Sequence, residues 1–139
     1  QTPFTSEVVH GAGRVLYIED DINTQEAMLE ILHELGYQVQ CFSRLAPTLQ
    51  YIETQSDSFD MVITDFIISD AQQGGQTILD KVRAIKGNCP VILVTGYFQR
   101  LKNSTQQKNE FSYIAQKPVS VAKISQVLSK LSDKQLEMS

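Results

Sequence analysis

The chain has 139 residues, enough for one domain around one core, and its 42% hydrophobic and 20% charged content is that of an ordinary globular protein. A net charge of -4 with no basic stripe argues against direct nucleic-acid binding, and no apolar run approaches the ~20 residues a bilayer crossing needs, so no membrane contact is expected of this domain. Cys41 and Cys89 lie far apart with no metal-type spacing, which reads as two reduced, buried thiols of a cytosolic protein.

The chain opens at Gln1 without a signal-peptide pattern, as a piece of a larger protein would. Residues 1–13 hold Pro3 and two glycines without sustained period and read as a linker. The domain proper is expected over 14–131. Its first strand is the apolar run Val15-Leu16-Tyr17-Ile18, which ends in Glu19, Asp20 and Asp21. Met28, Ile31, Leu32 and Leu35 then stand at helical spacing. Asn23 and Glu26 suggest a capping box at the start of that helix, and Gly36 a stop at its end.

The alternation repeats. Residues 38–42 predict a strand, and 46–54 a helix with Leu45, Leu49 and Ile52 on one face. Met61 to Thr64 predicts a buried strand running into Asp65. Gly74-Gly75 suggests a turn before a helix marked by Ile78, Leu79, Val82 and Ile85 and closed by Gly87. Val91 to Thr95 is the clearest strand, 99–109 a weakly patterned helix, and Tyr113-Ile114-Ala115 a short strand. Ile124, Val127, Leu128 and Leu131 mark the last helix, and 132–139 reads as a frayed tail.

Continuous apolar strands alternating with helices mean a doubly wound parallel sheet with helices on both faces. Ligands of such folds bind beyond the carboxyl ends of the strands. Those ends carry Glu19 and Asp20, then Asp65, Thr95 and Lys117. Carboxylates brought to ~4 Å repel by about 4 kcal/mol per pair at an effective dielectric near 20. A hard divalent cation with oxygen ligands relieves that repulsion, and Mg²⁺ suits a few carboxylates plus water and phosphate.

The segments VLYIEDD, VITDFIISD, PVILVTGY and QKP resemble the CheY-like receiver domains of two-component signalling over residues 14–131. No single motif is specific. The order of Asp20, Asp65, Thr95 and Lys117, spaced 45, 30 and 22 residues apart, is what carries the resemblance. It implies a flavodoxin-like, five-stranded sheet of order 2-1-3-4-5. It further implies that Asp65 is the nucleophile taking a phosphoryl group from a histidine kinase or histidine phosphotransfer protein. Glu19, Asp20, Asp65 and the Ile67 carbonyl would hold Mg²⁺. Lys117 would pair with Asp65 and then with the phosphoryl group. Thr95 would swing to bond that group, and Lys117-Pro118 would be a cis peptide. Ile114 occupies the position where receivers often place an aromatic switch residue, while Tyr113 should face the opposite side. Ile114 cannot reproduce a ring swing, so coupling would shift to Thr95 and to Tyr97 and Phe98.

Within that resemblance, the leading linker, the absent start Met and the lack of a DNA-binding module lead us to expect the cytoplasmic C-terminal receiver of a hybrid sensor histidine kinase, with a membrane-anchored or soluble parent and a homodimer admitted, and a stand-alone or separated response-regulator receiver as the runner-up. Such a domain catalyses its own phosphorylation and dephosphorylation and holds no kinase catalytic unit. Ser69 stands where a proline is common, and the loop to Gly74-Gly75 is one residue longer than is usual in the family. Two rivals differ in class. A haloacid-dehalogenase-like phosphatase also uses an aspartyl nucleophile, but position 67 is Ile where its second acid is expected. A degenerate receiver would be a constitutive interaction module, against which the filled set of Glu19, Asp20, Asp65, Thr95 and Lys117 argues. His33 reads as a helix-surface residue, and His10 as a linker residue.

Overall fold

The computed structural model describes residues 7–68, 73–96 and 111–138, the last six without their side chains. Five strands, β1 (Gly13–Ile18), β2 (Tyr37–Phe42), β3 (Met61–Thr64), β4 (Val91–Thr95) and β5 (Tyr113–Gln116), form one sheet of order β2-β1-β3-β4-β5. Every neighbouring pair is parallel. Four α-helices lie among the described residues: α1 (Ile22–Leu35), α2 (Leu45–Thr54), α3 (Gly74–Ile85) and α4 (Val121–Met138). Ser69, Tyr97, Phe98 and the segment 99–109 lie outside the described residues.

The central strands are apolar on both faces because both faces are covered. Val15, Tyr17, Met61, Ile63, Ile92 and Val94 pack with Met28, Leu32 and Leu35 of α1 and with Ile124, Val127 and Leu128 of α4. Leu16, Ile18, Val62 and Val91 face the other way, against Ile52 of α2 and Ile78, Leu79 and Val82 of α3. Leu32 is fully buried, and truncation to Ala there would cost about 2–5 kcal/mol in lost burial and cavity.

Several boundaries differ from the sequence pattern. Helix α1 is capped by Asp21, whose carboxylate accepts from the Thr24 backbone N–H at 2.9 Å; Asn23 already lies inside the helix. Gly36 does end it, at φ +110°, a conformation in which a Cβ is strained. Gly74 and Gly75 form no preceding turn but are the buried first residues of α3, pressed onto the loop after β3. Ile85, the last residue of α3, is exposed. Helix α4 continues to Met138 where a tail was expected, since Lys134, Gln135, Leu136, Glu137 and Met138 are all good helix formers. Cys89 is buried, but Cys41, on the outermost strand, is half-exposed; both are free thiols.

Residues 7–12 have no regular structure, yet they are held in place. The Gly11 N–H donates to the Leu35 carbonyl at 2.9 Å, the Val9 N–H to Ser125 Oγ at 3.0 Å, and Gln126 Nε2 to the Glu7 carbonyl at 2.5 Å. This part of the expected linker is docked on α1 and α4. No helix of the described residues is long and apolar enough to cross a membrane.

Candidate functional site

Parallel strands all point their carboxyl ends at one edge, so residues far apart in sequence meet there. Registry sets the meeting closely. Ile18 pairs with Thr64, so the next residues, Glu19 and Asp65, leave the sheet side by side. The Asp65 N–H donates to the Ile18 carbonyl at 3.2 Å, and the Glu19 N–H to the Phe42 carbonyl at 3.0 Å. On the far side Thr95 pairs with Gln116, and the Lys117 N–H donates to the Thr95 carbonyl at 2.9 Å. The peptide from Lys117 to Pro118 is cis.

Lys117 Nζ stands between two carboxylates, 2.8 Å from Asp65 Oδ2 and 2.9 Å from Glu19 Oε1. The remaining oxygens are also held. Asp65 Oδ1 accepts from the Phe66 N–H at 2.8 Å, and Glu19 Oε2 from the Asp21 N–H at 3.1 Å. Gln25, one turn into α1, donates from Nε2 to the Glu19 carbonyl at 2.9 Å. The start of α1 thus clamps the acidic loop from both sides.

Glu19 is almost fully buried, and burial pushes its carboxyl above the usual range; hydrogen bonds from Lys117 and the Asp21 N–H oppose this without cancelling it. Burial also works against the charged form of Lys117, but the hydrogen bonds to Asp65 and Glu19 more than offset it and raise the ammonium overall. Tyr17, buried below the acids, is pushed far above its ordinary value by burial and by the Glu19 charge. Cys41 is pushed up to about 11 by burial and then by Glu19, so it stays a thiol.

Among the described residues, one ammonium thus meets two acids of a cluster of three. Glu19, Asp20 and Asp65 each offer an oxygen, and these oxygens lie within 4.8 Å of one another. Oxygens around Mg²⁺ at ~2.1 Å sit about 3 Å apart when adjacent and about 4 Å apart when opposed. The cluster needs only a small contraction to match, and its all-oxygen donor set suits this ion. Ile67, half-buried in the loop after β3, belongs to the same loop as Asp65. Thr95 is fully buried at the end of β4. Ile114 pairs with Leu93, on the sheet face that Thr95 shares, whereas Tyr113 packs into the opposite cluster with Ala115 and Ile124.

Asp21, the last of the three acids after β1, has a structural part. It is exposed, but it caps α1 and its N–H holds Glu19; its carboxyl is drawn below the usual range by the Thr24 hydroxyl and N–H. The Asp21–Thr24 spacing was the available signal. Gln25 carried no pattern that would single it out. His33 is exposed on α1 as expected, and His10 lies beside Glu30 and Glu34, lining a groove of about 290 Å³ away from the acids.

A family model described as the response regulator receiver domain matches residues 15–129. Among solved structures, a response regulator receiver domain protein from Clostridium thermocellum is 20% identical, with a TM-score of 0.79 over 91% of this chain and 99% of that one. A CheY-like receiver domain protein from Methanospirillum hungatei is 22% identical, with a TM-score of 0.78 over 93% and 100%. The receiver domain of a sensor histidine kinase from Pseudomonas aeruginosa, with magnesium coordinated in its active-site cleft, is 20% identical, with a TM-score of 0.74 over 87% and 98%. No curated protein matches the chain.

Proposed function

Because the chain belongs to the response regulator receiver domain family, we propose that it accepts a phosphoryl group on Asp65 from a phosphohistidine, with Mg²⁺ as cofactor. The observation that carries this reading is the Lys117 ammonium held between Asp65 and Glu19 inside a cluster of three carboxylates.

Glu19, Asp20, Asp65 and the Ile67 carbonyl would hold the ion, which supplies neutralising charge to the phosphoryl oxygens. Asp65 attacks phosphorus in line, its oxygen–phosphorus bond forming as the phosphorus–nitrogen bond to imidazole breaks. The electron pair of that bond returns to the imidazole nitrogen, and Asp65 becomes an acyl phosphate. Lys117, already at Asp65 Oδ2, follows the negative charge from carboxylate to phosphoryl oxygen. The Phe66 N–H fixes the rotation of the carboxylate through Oδ1. Thr95 then bonds the phosphoryl group, and the coupling starts mainly from Thr95, since Ile114, on its sheet face, is too restricted at χ1 to reproduce a ring swing.

The donor in this reading is a histidine kinase or a histidine phosphotransfer protein, and the parent a hybrid sensor kinase, in keeping with the linker-like composition of residues 1–13. The free thiols Cys41 and Cys89 suit a cytoplasmic setting. Intact-mass spectrometry with a small acyl phosphate and Mg²⁺ tests the chemistry. The wild-type protein gains one phosphoryl group and Asp65→Asn gains none, since an amide is a far poorer nucleophile. Equal labelling of the variant would remove Asp65 from its role.

A further inference from the structure

The two glycines that open α3 are pressed onto the loop that carries Asp65, and they meet it differently. A Cβ on Gly74 would come within 2.7 Å of Ile68 Cδ1 and 3.1 Å of its Cβ and Cγ1, all of them side-chain atoms. A Cβ on Gly75 would lie 2.6 Å from the Asp65 carbonyl oxygen and 2.7 Å from the Phe66 Cα, both backbone atoms that no rotamer change can clear. The Gly75 N–H donates to the Phe66 carbonyl at 2.8 Å.

Phe66 is therefore gripped at both ends. Its carbonyl is held by Gly75, and its N–H holds Asp65 Oδ1 at 2.8 Å. Oδ2 of the same carboxylate meets Lys117 at 2.8 Å. A continuous chain of contacts thus runs from the first turn of α3 through the backbone of Phe66 to the carboxylate.

Resting on the function proposed above, we infer that Gly75 is a positioning residue, which sets the rotation of the Asp65 carboxylate by holding the Asp65–Phe66 backbone against α3. Only a residue without Cβ permits the approach. Helix propensity favours Ala over Gly at such a position, so any loss of function in Gly75→Ala runs against the expected effect on the helix. Misplacing a reacting group by about an ångström can slow a reaction on the order of a hundredfold.

The test compares Gly75→Ala with Gly87→Ala, whose Cβ would meet nothing nearer than Arg83 O at 3.8 Å. Phosphorylation by a small acyl phosphate is followed at saturating Mg²⁺, together with the amide resonance of Phe66 by NMR. In Gly75→Ala the maximal rate falls roughly tenfold to a hundredfold, the half-saturating donor concentration holds, and the Phe66 amide moves. Gly87→Ala matches wild type in all three. Should Gly75→Ala fail to fold, a glycolate ester at position 75, made by semisynthesis, removes the N–H donor without adding an atom and should reproduce the loss of rate. A maximal rate within about twofold of wild type in the folded Gly75→Ala, or in the ester, overturns the inference, as does an unmoved Phe66 amide. Failure of the wild-type protein to label at all would overturn the phosphoryl-transfer reading instead.

Discussion

The two ends of the same strands treat charge in opposite ways. At the amino-terminal edge, Arg14 and Asp60 make a two-pronged pair, with Nη2 to Oδ1 at 2.9 Å and Nε to Oδ2 at 3.2 Å. Lys86 turns to the Ser56 and Phe59 carbonyls and lies 4.5 Å over the Phe59 ring. Each charge there is met locally. At the carboxyl-terminal edge, among the described residues, one lysine serves two carboxylates of a cluster of three, and the most buried of them is held above its usual range by burial. Balanced pairs close loops. A cluster of carboxylates with too little positive charge can hold a cation, and on the function proposed above this contrast separates the working edge from the structural one.

The contrast can be broken most forcefully by removing the cation. Chelation of Mg²⁺ should slow phosphorylation of Asp65 by a hundredfold or more, on the order of several kcal/mol of lost charge stabilisation. Glu19→Gln and Asp20→Asn should each weaken Mg²⁺ binding by on the order of tenfold, about 1.4 kcal/mol, as read by titration of the metal-free protein. Wild-type affinity in both variants would place the ion elsewhere.

A smaller effect concerns pH, and its sign should differ between the edges. Glu19 is raised in the folded metal-free protein, so the fold binds that proton more tightly than the unfolded chain. Its contribution is favourable at low pH and is lost as pH rises from the ordinary glutamate range through the folded value. Asp60 is lowered, chiefly by the Arg14 hydrogen bond. Its contribution is present above the ordinary aspartate range and is lost as pH falls through the folded value. Thermal melts of Glu19→Gln should therefore gain on wild type as pH rises toward neutrality, and those of Asp60→Asn should close the gap with wild type as pH falls. Slopes of the same sign would contradict the contrast. The smallest effect is expected from Arg14→Ala, which removes an exposed pair. It should lower Tm slightly and leave the rate of phosphorylation unchanged.

Much of this was legible because buried parallel strands announce themselves as apolar runs, and the residue after each run is what the edge displays. Asp65 after Met61–Thr64, Glu19 and Asp20 after Val15–Ile18, and Thr95 at the end of Val91–Thr95 all followed from that rule. What escaped was close contact between backbone segments. Asn23 and Asp21 are equally good caps on paper, and only the Asp21 N–H on Glu19 shows why the helix begins where it does. Gly74-Gly75 had the composition of a turn, yet the approach of α3 to the Asp65 loop is what requires it. The docking of residues 7–12 rests on Ser125 and Gln126, buried polar groups that a search for apolar periodicity passes over.

On the function proposed above, the phosphoryl group goes to one carboxylate of the three in the cluster. Phosphorylating the protein with a small acyl phosphate and Mg²⁺, reducing the acyl phosphate with borohydride and sequencing the peptides by mass spectrometry reads that choice directly. Homoserine is expected at position 65, with Glu19 and Asp20 recovered unchanged. Reduction at either of those two acids, or an unmodified carboxylate at 65 in a labelled protein, would contradict it.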